Sequence, residues 1–176
     1  MENHFSPMDF GPALSEIRTI ITEAPREAPD RVVELLHDRF PHYDWVGIYW
    51  VEDRELVLGP WKGPAATEHT RIPIGKGVCG AAAASGRTEI VPDVSKDPRY
   101  LACFASTRSE IVVPIRAGTR VIGEIDIDGR DLDAFGTLDR MFLEAVAALL
   151  STLWPVIPET PTIPHPAGHA ALAGNS

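Results

Sequence analysis

Cys103, Glu110, Asp126 and Asp128 are the residues whose types and spacing could do chemistry together in this chain of 176 residues. The last three lie between Ser109 and Asp128, a stretch that reads as two strands joined by a tight turn. With Ala117-Gly118-Thr119 as the turn, Arg116 faces Arg120 and Glu110 falls directly opposite Asp126. Like charges facing one another across a strand pair repel, so a chain selected only to fold would gain by losing one of them. Asp128 lies two residues beyond Asp126 and shares its face, while Ile125 and Ile127 point the other way, into a core. The pattern predicts an acidic cluster on one sheet face, preceded by a cysteine, and suits a small cation held beside a thiol. Two other readings stand beside it. Acidic residues on a strand commonly form a solvated face, and Pro114 within the first strand can mark a bulge that shifts the pairing by one.

A thiol is a nucleophile only as its thiolate, and carboxylates nearby oppose that ionisation. Crowded carboxyls cannot all ionise cheaply either, so one of them, Glu110 or Asp128, becomes a proton donor near neutral pH. Glu110 and Asp126 together could hold an ammonium group, which would relieve their repulsion. Trp45 and Tyr49, four apart on one strand face, offer flat apolar walls. The second cysteine, Cys79, sits in a run of small residues and reads either as a buried small hydrophobe or as a second redox thiol.

The elements that must position these groups follow from periodicity. Phe10, Leu14, Ile17 and Ile21 recur at helical spacing until Pro25, and a second helix runs from about Asp30 to Phe40. Tyr43 to Val51 reads as a strand, with Trp45, Gly47, Tyr49 and Val51 on one face and Val46, Ile48 and Trp50 on the other. Glu55 to Leu58 returns as its neighbour, and Gly59 to Thr70 reads as loop. Gly75, Gly77 and Gly80 lack the Gly-Lys-Ser/Thr of a phosphate loop and read as a turn and close packing before a short helix, Ala81 to Ser85. Glu89 to Val91 is a brief strand, Asp93 to Ser106 an irregular segment carrying Cys103, and Thr137 to Leu153 a helix with a wide apolar stripe. Helices, a meander-like sheet and helices in that order make an α+β domain over residues 9–154. Residues 1–8 read as a flexible N-terminus and 155–176, rich in proline, as a disordered tail.

Net charge is −9 with no block of Lys or Arg, which argues against nucleic acid or an anionic membrane surface as partner. No apolar stretch approaches the roughly 20 residues of a membrane span, and the first residues lack the pattern of a secretion signal. Two cysteines without a CxxC point to a reducing cytoplasm. No His, Cys and Asp cluster has metal-site spacing, and neither a metal nor a tightly bound cofactor is expected. The apolar stripes of the first and last helices exceed what one sheet face needs, which predicts a helix-mediated homodimer.

Residues 43–153 resemble the stand-alone GAF domains that act as free methionine-R-sulfoxide reductases. The stretches that carry the resemblance are Asp44-Trp45-Val46-Gly47-Ile48-Tyr49, Leu56 to Pro60, Arg71 to Gly80, Leu101-Ala102-Cys103, Ser109 to Pro114 and Gly123 to Asp128. The resemblance implies a GAF-type fold, with a central antiparallel sheet and the N- and C-terminal helices packed on one face. It implies Cys103 as nucleophile and Glu110, Asp126 and Asp128 as carboxylates lining the site. It also implies Trp45 and Tyr49 as walls around the substrate methyl. The implied partners are a small-molecule substrate and an external, thioredoxin-like thiol reductant. The chain departs from the family at His69, where a third cysteine is customary, at Phe104, where an acidic residue usually follows the nucleophile, and at Arg99-Tyr100, where Gly-His is usual. Only Cys79 is then left within the chain to resolve an oxidised Cys103. Two function classes follow: a reductase of free methionine-R-sulfoxide, and a non-catalytic GAF module that binds a small amino-acid-like ligand.

Overall fold

The computed structural model describes residues 9–154; both predicted flexible ends lie outside them. Six strands form one antiparallel sheet in the order β3-β2-β1-β6-β5-β4. They are β1 (Trp45–Glu52), β2 (Glu55–Lys62), β3 (Arg71–Pro73), β4 (Glu89–Val91), β5 (Ser109–Ala117) and β6 (Arg120–Gly129). The helices are α1 (Phe10–Glu23), α2 (Ala28–Arg39), α3 (Gly77–Ser85) and α4 (Thr137–Ser151).

Alternation along the strands divides the interior in two. Val46 and Ile48 of β1, Ile111, Val113 and Ile115 of β5, and Ile125 and Ile127 of β6 meet the apolar stripes of α1, α2 and α4 on one face. Phe10, Phe40 and Phe142 pack ring against ring there, with centroids 4.6 to 5.2 Å apart. Leu138 and Met141 of α4 remain exposed. Asp139 ties α4 to the segment just before β1 by accepting from the Tyr43 hydroxyl at 2.9 Å, and caps its own helix by accepting from the Gly136 amide at 2.9 Å.

The opposite face is covered by α3 and the segment that follows β4. Trp45, Tyr49, Leu56, Leu58 and Val112 pack there against Val78, Cys79, Ala82 and Ala83 of α3. The glycine run before α3 is a turn and a close approach, as its sequence suggests. Gly77 has φ +71°, and a Cβ on Gly80 would stand 2.7 Å from the Pro73 carbonyl oxygen. The helix begins four residues earlier than Ala81, because Gly77 already has helical hydrogen bonding. β2 continues to Lys62, beyond the expected Leu58, because its outer half pairs with β1. β3 was not expected; three residues of alternating burial are too few to show a period, and pairing with β2 makes the strand.

Candidate active site

The β5–β6 register corrects the sequence reading. The turn has two residues, Gly118 and Thr119, so Ala117 pairs with Arg120 and Arg116 with Val121. A bulge then skips Ile122, so Ile115 pairs with Gly123 and Glu110 with Asp128, while Asp126 stands opposite Val112. The shorter turn alone would move the pairing by one and set Glu110 against an isoleucine. The extra residue moves it by one more and returns the acids to one face. The shift falls between Ile115 and Arg116, while Pro114 itself pairs in register with Glu124. Glu110 is therefore across from Asp128 and diagonal to Asp126.

All three acids are buried, at 4%, 2% and 2% exposure, so the solvated-face reading does not hold. A fourth, Glu124, joins them at 0% exposure. It was missed as a site residue, although its signal was present: it precedes Asp126 by two and shares its face. Burial pushes every one of these carboxyls up. Asp126 is raised to about 6, restrained by hydrogen bonds from Cys79 and Glu110. Glu110 is held well above the carboxylate range by burial and by the neighbouring charges of Asp126 and Asp128. Glu124 and Asp128 are raised by burial first and by Asp126 second. The cluster thus carries protons at neutral pH, with Asp126 its most acidic member. Glu110 Oε2, Asp126 Oδ1, Asp128 Oδ1 and both Glu124 oxygens are buried without a hydrogen-bond partner.

Both cysteines are free thiols. Cys79, carried by α3 across the sheet, points its sulfur at the acids, 3.9 Å from Glu110 Oε1. Burial, and after it Asp126 and Glu124, drives its pKa far up. Cys103 is only partly buried, and its thiol donates to the Leu101 carbonyl at 3.4 Å. Its pKa is also raised, by burial first, then by Asp126 and Asp128, while the Thr67 hydroxyl pulls it down. Thr67, buried in the β2–β3 connection, is another site residue that the sequence did not single out. It lies within an apparently ordinary loop, and only folding brings that loop to Cys103.

Trp45 forms one wall and is locked in place. Its indole donates to the Ala65 carbonyl at 3.2 Å and stacks on Trp61 at 6.2 Å with an interplanar angle of 13°. Phe104 lies 5.9 Å from it, tilted. A Cβ on Gly47 would meet the Trp45 ring at 2.3 Å, so glycine there makes room for the indole. Tyr49 donates its hydroxyl to the His69 carbonyl at 2.8 Å. The His69 ring reaches the Ala102 carbonyl, Nε2 to O 3.2 Å, beside Cys103. A carbonyl only accepts, so Nε2 carries the proton. The residue in place of the customary third cysteine therefore buttresses the loop that bears the thiol.

The GAF domain family profile matches residues 25–153. Two curated relatives are free methionine-R-sulfoxide reductases. The Escherichia coli (strain K12) protein is 39% identical over 116 residues, covering 66% of this chain and 69% of the relative. The Saccharomyces cerevisiae protein is 45% identical over 112 residues, covering 61% of each. The solved free methionine-R-sulfoxide reductase of Neisseria meningitidis, in complex with its substrate, superposes with a TM-score of 0.79 at 36% identity, covering 85% of this chain and 93% of that one. The chain belongs to the GAF-domain free methionine-R-sulfoxide reductase family. Its fold is the expected α+β GAF fold, with the terminal helices on one sheet face and the acids and thiols of the family's motifs on the other. No helix among the described residues is long and apolar enough to cross a membrane.

Proposed function

We propose that the protein reduces free L-methionine-(R)-sulfoxide to methionine, with Cys103 as nucleophile. The observation that carries this reading is the set of orphaned oxygens on Glu110, Asp126 and Asp128. Three buried acceptors without donors match the three N–H donors of a free amino acid's ammonium group. A bound ammonium also acts on Cys103. Burial first and the carboxylate charges second hold this thiol protonated; the ammonium offsets the second, so substrate binding itself favours the thiolate. Trp45 and Tyr49 then wall the thiomethyl group.

The thiolate attacks the sulfoxide sulfur while Glu110, kept protonated by burial and by the charges of Asp126 and Asp128, gives its proton to the sulfoxide oxygen. Asp128 is the other candidate donor. Transfer of that oxygen to the cysteine sulfur leaves a Cys103 sulfenic acid and methionine. A thiol then condenses with the sulfenic acid, releasing water and forming a disulfide, and a second thiol reduces it. Cys79 is the internal candidate for the first step, and a thioredoxin-like protein the external one for either. The reading extends to a cytoplasmic protein without a resident cofactor, and to a homodimer whose apolar contact includes Leu138 and Met141.

The test is incubation of the purified protein with the separated R and S isomers and dithiothreitol. Turnover of the R isomer alone, lost in Cys103→Ser, is expected; turnover of neither isomer rejects the proposal. One observation favours a binding module instead, namely that burial first, and Asp126 and Asp128 after it, push the Cys103 thiol up. That reading requires methionine to bind wild type and Cys103→Ser equally, with no turnover by either.

A further inference from the structure

We infer that Cys79, Glu110 and Asp126 form a binding site for a thiophilic divalent cation of the zinc and cadmium class. One ligand atom from each lies within 4.8 Å of the others, and all three residues are buried. Their sequence positions, on α3, β5 and β6, give no metal-site spacing, so only the fold assembles them. Tetrahedral zinc with S and O ligands at about 2.0–2.3 Å sets those ligands roughly 3.3–3.8 Å apart. The Cys79 sulfur already stands 3.9 Å from Glu110 Oε1, close to that spacing.

The second observation is the orphaned oxygens within the cluster. Glu110 Oε2 and Asp126 Oδ1 have no donor, in side chains more than nine-tenths buried. A buried acceptor without a partner is destabilising, the more so when charged, and a cation between them removes that cost and their repulsion at once. The thiol decides which cation. Magnesium and calcium require an all-oxygen shell, whereas one sulfur with two carboxyl oxygens suits zinc or cadmium, with water in the fourth position. Binding exchanges protons for metal: the Cys79 thiol proton and the proton on Glu110 leave to the buffer, and thiolate and carboxylates take the cation.

This site does not rest on the reductase reading, and its test contains no sulfoxide. The reduced full-length protein is titrated with cadmium while thiolate-to-cadmium charge-transfer absorbance is followed, and zinc is measured by calorimetry. Saturation at one cation per chain is expected, with the band retained in Cys103→Ser and lost in Cys79→Ala. Glu110→Gln, which keeps the shape of the side chain, should weaken cadmium by at least about tenfold. A band that survives Cys79→Ala and vanishes in Cys103→Ser overturns the site, as does cadmium binding no tighter than magnesium. Because Cys79→Ala opens a buried space, its fold is checked by circular dichroism; if it is unfolded, Glu110→Gln decides alone. Adding methionine separates the two proposals. A weaker apparent cadmium affinity supports an ammonium at the same acids. An unchanged affinity, with the band still following Cys79, supports the cation site and counts against that ammonium placement.

Discussion

Glu110 stands directly opposite Asp128 across β5 and β6, with both side chains buried. Two carboxyls in that relation cannot both be ionised without a cation between them, and their shared preference for the protonated state is the chemical resource of the site. If Glu110 is the proton donor to the sulfoxide oxygen, Glu110→Gln should lower kcat by about 10²–10⁴-fold. Steady-state kinetics on the R isomer checks this. A loss confined to KM would instead make Glu110 a binding residue only.

Asp126 titrates near 6, and ammonium recognition needs it ionised. Methionine affinity should therefore rise as pH increases from 5 through 6 and level off by about 7, where the ammonium is still charged. Calorimetry across that range reads it directly. Asp126→Asn should flatten the profile as well as weaken binding, whereas a flat wild-type profile would contradict the assignment.

Glu124 has a folded-state pKa raised above its unfolded value by burial. A group shifted this way contributes its stability below the unfolded pKa and loses it as pH rises through the folded one. The Glu124 contribution should therefore fall from about pH 4.5 upward. Replacing this buried, unpartnered carboxyl with Gln or Leu should remove part of that loss and stabilise the fold at pH 7–8 by about 1–4 kcal/mol. Urea denaturation at pH 5 and pH 8 separates the pH-dependent part from any packing change.

Gly47 leaves no room for a side chain beneath the Trp45 ring. Gly47→Ala should displace the indole, cost about 1–3 kcal/mol of stability and raise KM for the substrate. Tryptophan fluorescence reports the displaced ring independently of activity.

His69→Ala removes the hydrogen bond that holds the Ala102 carbonyl, at a cost of about 0.5–1.5 kcal/mol. The global fold should survive, while kcat/KM falls because the Cys103 loop loses a support. Faster amide exchange at residues 101–104 than in wild type is the accompanying signature. Unchanged exchange would show that the imidazole does not brace the loop.

Much of this architecture was legible in the chain, and what was not has a common cause. The 3.6-residue stripes of α1, α2 and α4 and the two-residue alternation of β1, β5 and β6 are local consequences of backbone geometry, so they appear in sequence. Alternation gave the shared face of Trp45 and Tyr49, and of Asp126 and Asp128. Pairing is not local. The two-residue turn and the bulge at Ile122 each moved the register by one, and the errors cancelled in parity but not in position. β3 was invisible because three residues have no period.

By itself, then, the sequence determined the fold class, the family motifs and which side of each strand its acids occupy, since those depend on residue order and periodicity alone. Tertiary structure alone decided that Glu110 faces Asp128, that Glu124 is sealed beside them, and that Cys79 approaches the acids from α3. It also decided that Thr67 and His69 reach the Cys103 loop. Each of these joins residues from separate elements, and their distances are set by packing between elements and by the sheet register, which no window along the chain contains.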